Sequence, residues 1–106
     1  MLDADSIYEK IIAASKEWVA ADEESRRLSA MEKIILAEIT NHQAAESMAE
    51  RKSLALASPE YKLHVANMVA AKTKANTTLA RYKAAQSLAE LRRSEESSRR
   101  AEMNLR

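Results

Sequence analysis

The sequence predicts an all-α protein, folded as a long antiparallel helical hairpin with a coiled-coil-like seam. Three observations predict it. The 106 residues contain no glycine, cysteine or phenylalanine, and without glycine a chain has few means of making positive-φ turns or strand bulges. The single proline, in Ser58-Pro59-Glu60, stands almost at the midpoint. On both sides of it apolar residues recur at spacings of three and four, the helical period.

The first helix is expected over about 5–57. Asp3, Asp5 and Ser6 can each cap its start, and Glu9 stands three residues after Ser6, as in a capping box. Its seam reads Ile7, Ile11, Ala14, Trp18, Ala21, Ser25, Leu28, Glu32, Ile35, Ile39, His42. The stretch Asp22-Glu23-Glu24-Ser25-Arg26-Arg27 is almost wholly polar but contains no strong breaker, so the helix is expected to continue through it. The pattern weakens at Thr40-Asn41-His42-Gln43 and recovers with Ala45, Met48, Ala49, Leu54 and Leu56.

The turn is expected at Ser58-Pro59. Ser58 is a preferred N-cap, Pro59 fits the first helical position, and Glu60 suits the positive end of the helix dipole. Proline also disfavours helical geometry at Ser58, which ends the helix before it. The second helix is expected over about 59–103 on a stripe of Tyr61, Val65, Met68, Lys72, Ala75, Leu79, Tyr82, Gln86 and Ala89. Thr73, Asn76, Thr77 and Thr78 are mediocre helix formers in its middle.

A short connection sends the second helix back along the first. That register sets the basic stretch 81–106 against the acidic first third, Thr40-Asn41 near Asn76, and His64 at the level of Arg51. Length allows one domain, 1–106. Alanine supplies much of the 46% hydrophobic content and aromatics only 4%, so helix propensity is high while the seam buries little area. A second layer from self-association, with a dimer favoured, would complete a helical bundle.

Several kinds of chemistry are disfavoured by the residues themselves. No cysteine means no disulfide, thiol nucleophile or Cys-type zinc site. Glu38, His42, Glu46 and Glu50 recur every four residues and would share a helix face, yet the chain has only two histidines and no Glu-x-x-His pair. Nucleophilic catalysis needs a base, an orienting group and a pocket; a hairpin without glycine loops offers none of these together. No catalytic residue, metal, cofactor or small-molecule substrate is expected. No apolar run approaches the roughly 20 residues of a membrane span, the acidic N-terminus lacks the order of a signal peptide, and a cytoplasmic location is expected.

Two surfaces remain. Tyr8, Ile12 and Val19 form a second apolar strip beside the seam, wider than one partner helix needs. Together with Trp18, Leu28 and Ile35 they are the expected contacts to a protein partner or a second copy. The charge is uneven: residues 1–57 hold 7 Lys/Arg and 11 Asp/Glu, residues 58–106 hold 10 and 5. Opposite charge lets the two halves pair; it also leaves Arg81, Lys83, Arg92, Arg93, Arg99 and Arg100 as candidate nucleic-acid contacts. Tyr82 is the only aromatic among them, against the several that single-strand binders interleave.

The stretch Lys52-Ser53-Leu54-Ala55-Leu56-Ala57-Ser58-Pro59-Glu60-Tyr61-Lys62-Leu63-His64, followed by an Ala-rich helix and an Arg-Ser-Glu-Glu-Ser tail, resembles small helical accessory proteins encoded by tailed bacteriophages and prophages. The resemblance covers the C-terminal half. It implies an accessory role near recombination or replication in the host cytoplasm, with nucleic acid or a nuclease as partner. The expected function is a non-catalytic interaction module, with two alternatives: a nucleic-acid-binding recombination accessory, or an inhibitor of a host nuclease or defence complex.

Overall fold

The computed structural model describes residues 4–105 and shows three α-helices and no strand among them: α1, Ala4–Asn41; α2, Met48–Leu56; and α3, Pro59–Leu105. The chain divides into two compact units, one from residues 1–19 with 76–106 and the other Ala20–Ala75. α1 and α3 contribute to both.

In the Ala20–Ala75 unit, the Tyr61 hydroxyl donates to Glu32 Oε1 at 2.9 Å and His64 Nε2 donates to the Leu28 carbonyl at 3.0 Å. Rising numbers on α3 therefore meet falling numbers on α1, which is the antiparallel pairing expected. α1 passes unbroken through 22–27, where Arg26 pairs with Asp22 at 2.9 Å and Arg27 with Glu24 at 2.6 Å. With Glu32 already opposite Tyr61, α1 beyond it faces α2: Thr40 and Asn41 line a groove with Met48 and Lys52. His64 meets Leu28 rather than the level of Arg51.

The first helix ends at Asn41, not near 57. Three side chains turn back on the carbonyls four residues before them: Thr40 Oγ1 to Leu36 at 2.6 Å, His42 Nδ1 to Glu38 at 2.7 Å, and Gln43 Nε2 to Ile39 at 3.1 Å. Polar side chains that satisfy terminal carbonyls replace a glycine C-cap. Among the described residues none has positive φ. Arg51 Nε then holds the Ala45 carbonyl at 2.6 Å, and Ser47 Oγ caps α2 by accepting from Glu50 N at 3.1 Å.

The Ser58 cap is as expected. Its hydroxyl accepts from Tyr61 N at 3.2 Å and donates to the Ala55 carbonyl at 2.6 Å, so one buried side chain joins the end of α2 to the start of α3. The chain between α1 and α3 is thus interrupted twice, at 42–47 and at 57–58. At the other end, α1 already includes Ser6, and Asp3 lies outside the described residues.

The seam of α1 holds a strict alternation of four and three from Ile7 to Ile39, all buried or half-buried; His42, which the pattern adds, is exposed. On α3 the structure selects Tyr61, His64, Met68, Ala71, Ala75, Thr78, Tyr82, Ala85, Ala89 and Arg92, all at least half-buried. Val65, Lys72 and Gln86, expected in this stripe, are exposed. Both phases share Tyr61, Met68, Ala75, Tyr82 and Ala89 and fit a heptad. The expected one would desolvate Lys72 and Gln86, a cost that outweighs the gain from Val65; Leu79, at the edge of the selected stripe, is half-buried as expected. Small side chains in the selected phase also let the helices approach closely.

Candidate functional site

In the unit formed by 1–19 and 76–106, the ring of Trp18 stacks on that of Tyr82, centroids 5.7 Å apart and planes 20° from parallel. Nearer the start of α1 the seam opens into a groove of about 270 Å³. Ile7, Tyr8 and Ile11 line it from α1; Ala89, Arg92, Arg93 and Glu96 line it from α3. The basic end of α3 therefore lies against the first turns of α1, as the charge distribution suggests.

The strip beside the seam is open. Tyr8 is 65% exposed, Val19 46% and Ile12 38%. The other expected partner contacts sit differently: Trp18 is taken up by Tyr82, and Leu28 and Ile35 are half-buried on the seam face of the Ala20–Ala75 unit. Of the candidate nucleic-acid contacts, Arg81, Lys83, Arg93, Arg99 and Arg100 are exposed and Arg92 is half-buried at the groove. Arg81, Arg92 and Arg99, at spacings of 11 and 7, fall on one face of α3, and Arg93 and Arg100 on the adjoining one. Lys83 stands apart from both.

The four-residue series from Glu38 to Glu50 is broken by the end of α1, so its members do not share a helix face. Among the described residues no group of three or more His, Asp or Glu is placed to hold a metal ion. No described helix is long and apolar enough to cross a membrane.

Two groups carry more weight than sequence reasoning assigned them. His64 is buried and bonded across the helices, a position found by the heptad phase that keeps Lys72 in water. Ser47 caps α2, and Ser47-x-x-Glu50 is the signature that would have located it. The hydrogen bond to Glu32 raises the Tyr61 phenol above its ordinary range. On the exposed face of α1, Glu24 is lowered by its hydrogen bond from Arg27, whose guanidinium is raised in turn.

No protein-family model matches this chain, and no curated protein or solved structure matches it. The resemblance of the C-terminal half rests on the residues quoted for it alone.

Proposed function

We propose that this chain is a non-catalytic protein-interaction module of the cytoplasm, which presents an apolar helical strip to a protein partner and self-associates, a dimer being the favoured state. The observation that carries this reading is the exposure of Tyr8, Ile12 and Val19 on one strip, in a chain where no large side chain of the described residues is fully buried. A thin core and a spare apolar strip are both relieved when another helix covers the strip.

Sedimentation equilibrium tests the self-association: a concentration-dependent rise in mass is expected, and it should be lost in Ile12→Ser/Val19→Ser. A stable monomer at high micromolar concentration overturns it. Capture from host lysate, with that double variant as the control bait, tests the partner; identical capture by both baits overturns this strip as the contact.

Nucleic acid is the second reading, favoured by the exposed Arg81, Arg93, Arg99 and Arg100 on α3. It requires DNA affinity that falls steeply as salt rises, and absence of binding at about 50 mM salt removes it.

A further inference from the structure

We infer that the groove at Ile7, Ile11 and Ala89, with the face of α3 that continues it, docks an acidic amphipathic helix of another protein. The inference rests on the interaction-module reading and specifies the partner's chemistry. At about 270 Å³ the groove is smaller than the roughly 300–1,000 Å³ typical of small-molecule sites. It suits one or two side chains of a partner. Ala89 leaves its floor open, and the exposed Tyr8 forms a wall.

Charge selects the occupant. Beyond Ala89 the groove face of α3 runs through Arg92, Arg93, Glu96, Arg99, Arg100 and Met103, four arginines to one glutamate. By helical spacing Glu95 and Glu102 flank Arg99 and fall opposite Arg93 and Arg100, which they leave uncompensated from that side. Every residue of α3 from Arg93 to Leu105 is exposed. A partner helix laid from Ala89 to Met103 would run about 20 Å, seat an apolar side chain at each end, and offer carboxylates to Arg93 and Arg100 between them. Arginine binds carboxylates with bidentate geometry, and Tyr and Arg are the residue types enriched at binding hot spots. A second copy placed about a two-fold axis here would set one arginine cluster against another, a like-charge contact that costs affinity. A phosphate backbone would meet the arginines and leave the apolar floor uncovered.

The test uses the full chain and synthetic helical peptides of about four turns, with leucine near each end, two heptads apart, and glutamate between them. One control peptide replaces leucine by serine, another glutamate by lysine, and a DNA duplex is the third probe. Anisotropy should show saturable binding of the acidic peptide, weakened about tenfold or more by either control substitution and by Arg93→Glu/Arg100→Glu, but not by Arg81→Glu. Amide shifts should centre on Ile7, Tyr8, Ile11 and 89–100. Equal binding of the lysine peptide, no effect of the Arg93/Arg100 variant, or no binding at millimolar peptide overturns the inference. So does tighter binding of the duplex without shifts at Ile7 and Ile11. If the acidic peptide fails while Ile12→Ser/Val19→Ser still abolishes self-association, this inference falls and the interaction-module reading stands.

Discussion

The Tyr61 hydroxyl donates a 2.9 Å hydrogen bond to Glu32 Oε1 across the seam between α3 and α1. That bond holds the phenol protonated, so its folded-state pKa lies above the unfolded value of about 10. The stabilisation is complete below the unfolded pKa and is lost as pH rises through the folded one. In Tyr8→Phe/Tyr82→Phe, Tyr61 is the sole tyrosine. Its absorbance titration should have a midpoint above that of a free phenol, and Glu32→Gln should bring it down. An ordinary midpoint in the double variant means the bond does not form in solution.

His64 and Val65 test the seam of α3 directly. His64 is 7% exposed and bonded to the Leu28 carbonyl, whereas Val65 is 37% exposed. His64→Ala should cost about 1–3 kcal/mol through the lost bond and packing. Val65→Ala should cost less, about 0.5 kcal/mol. Urea melts that rank the two in the opposite order would restore the phase containing Val65.

The two serine caps should each be worth about 1 kcal/mol on replacement by alanine. Ser58→Ala should exceed Ser47→Ala, because Ser58 is buried and its hydroxyl also satisfies Ala55. Thermal melts of both variants decide the order.

Pro59→Ala relaxes the barrier between α2 and α3, yet the chain is still interrupted at 42–47. The variant should keep the parent's hydrodynamic radius, with helical content equal or slightly higher. Larger, arm-exchanged species on size-exclusion chromatography would instead make Ser58-Pro59 the sole hinge, as the sequence taken alone suggests.

Trp18 and Tyr82 should be coupled. A double-mutant cycle of Trp18→Leu and Tyr82→Leu is expected to return an interaction energy of about 1 kcal/mol. The emission of the single tryptophan should also shift to the red in Tyr82→Leu. Additive effects with an unmoved spectrum would place the rings apart.

Local rules were enough for much of this molecule. Helix propensity, the absence of glycine, the seam of α1 from Ile7 to Ile39 and the cap at Ser58-Pro59 depend on neighbours within a turn or two, and all were legible in the residues. The break after Asn41 was written there as well, in Thr40, His42 and Gln43. The weakened pattern marks the place, but such side chains serve equally well inside a helix when their polar groups reach solvent, so the residues alone leave a kink and a full stop open. Tyr8, Ile12 and Val19 were legible as a spare strip by spacing; that Trp18 would be taken up by Tyr82 was not.

Only the tertiary structure decided the phase of α3 and the level at which it meets α1. Two heptad phases share five of their residues, and periodicity gives both the same weight. The choice turns on which side chains leave water when the helices meet, and that is settled by the whole seam at once. Burying His64 with a bonded carbonyl while Lys72 stays solvated costs less than the reverse. In the other unit Arg92 and Arg93 stand beside Ile7 and Tyr8, so the groove and its charge likewise follow from pairing between distant segments.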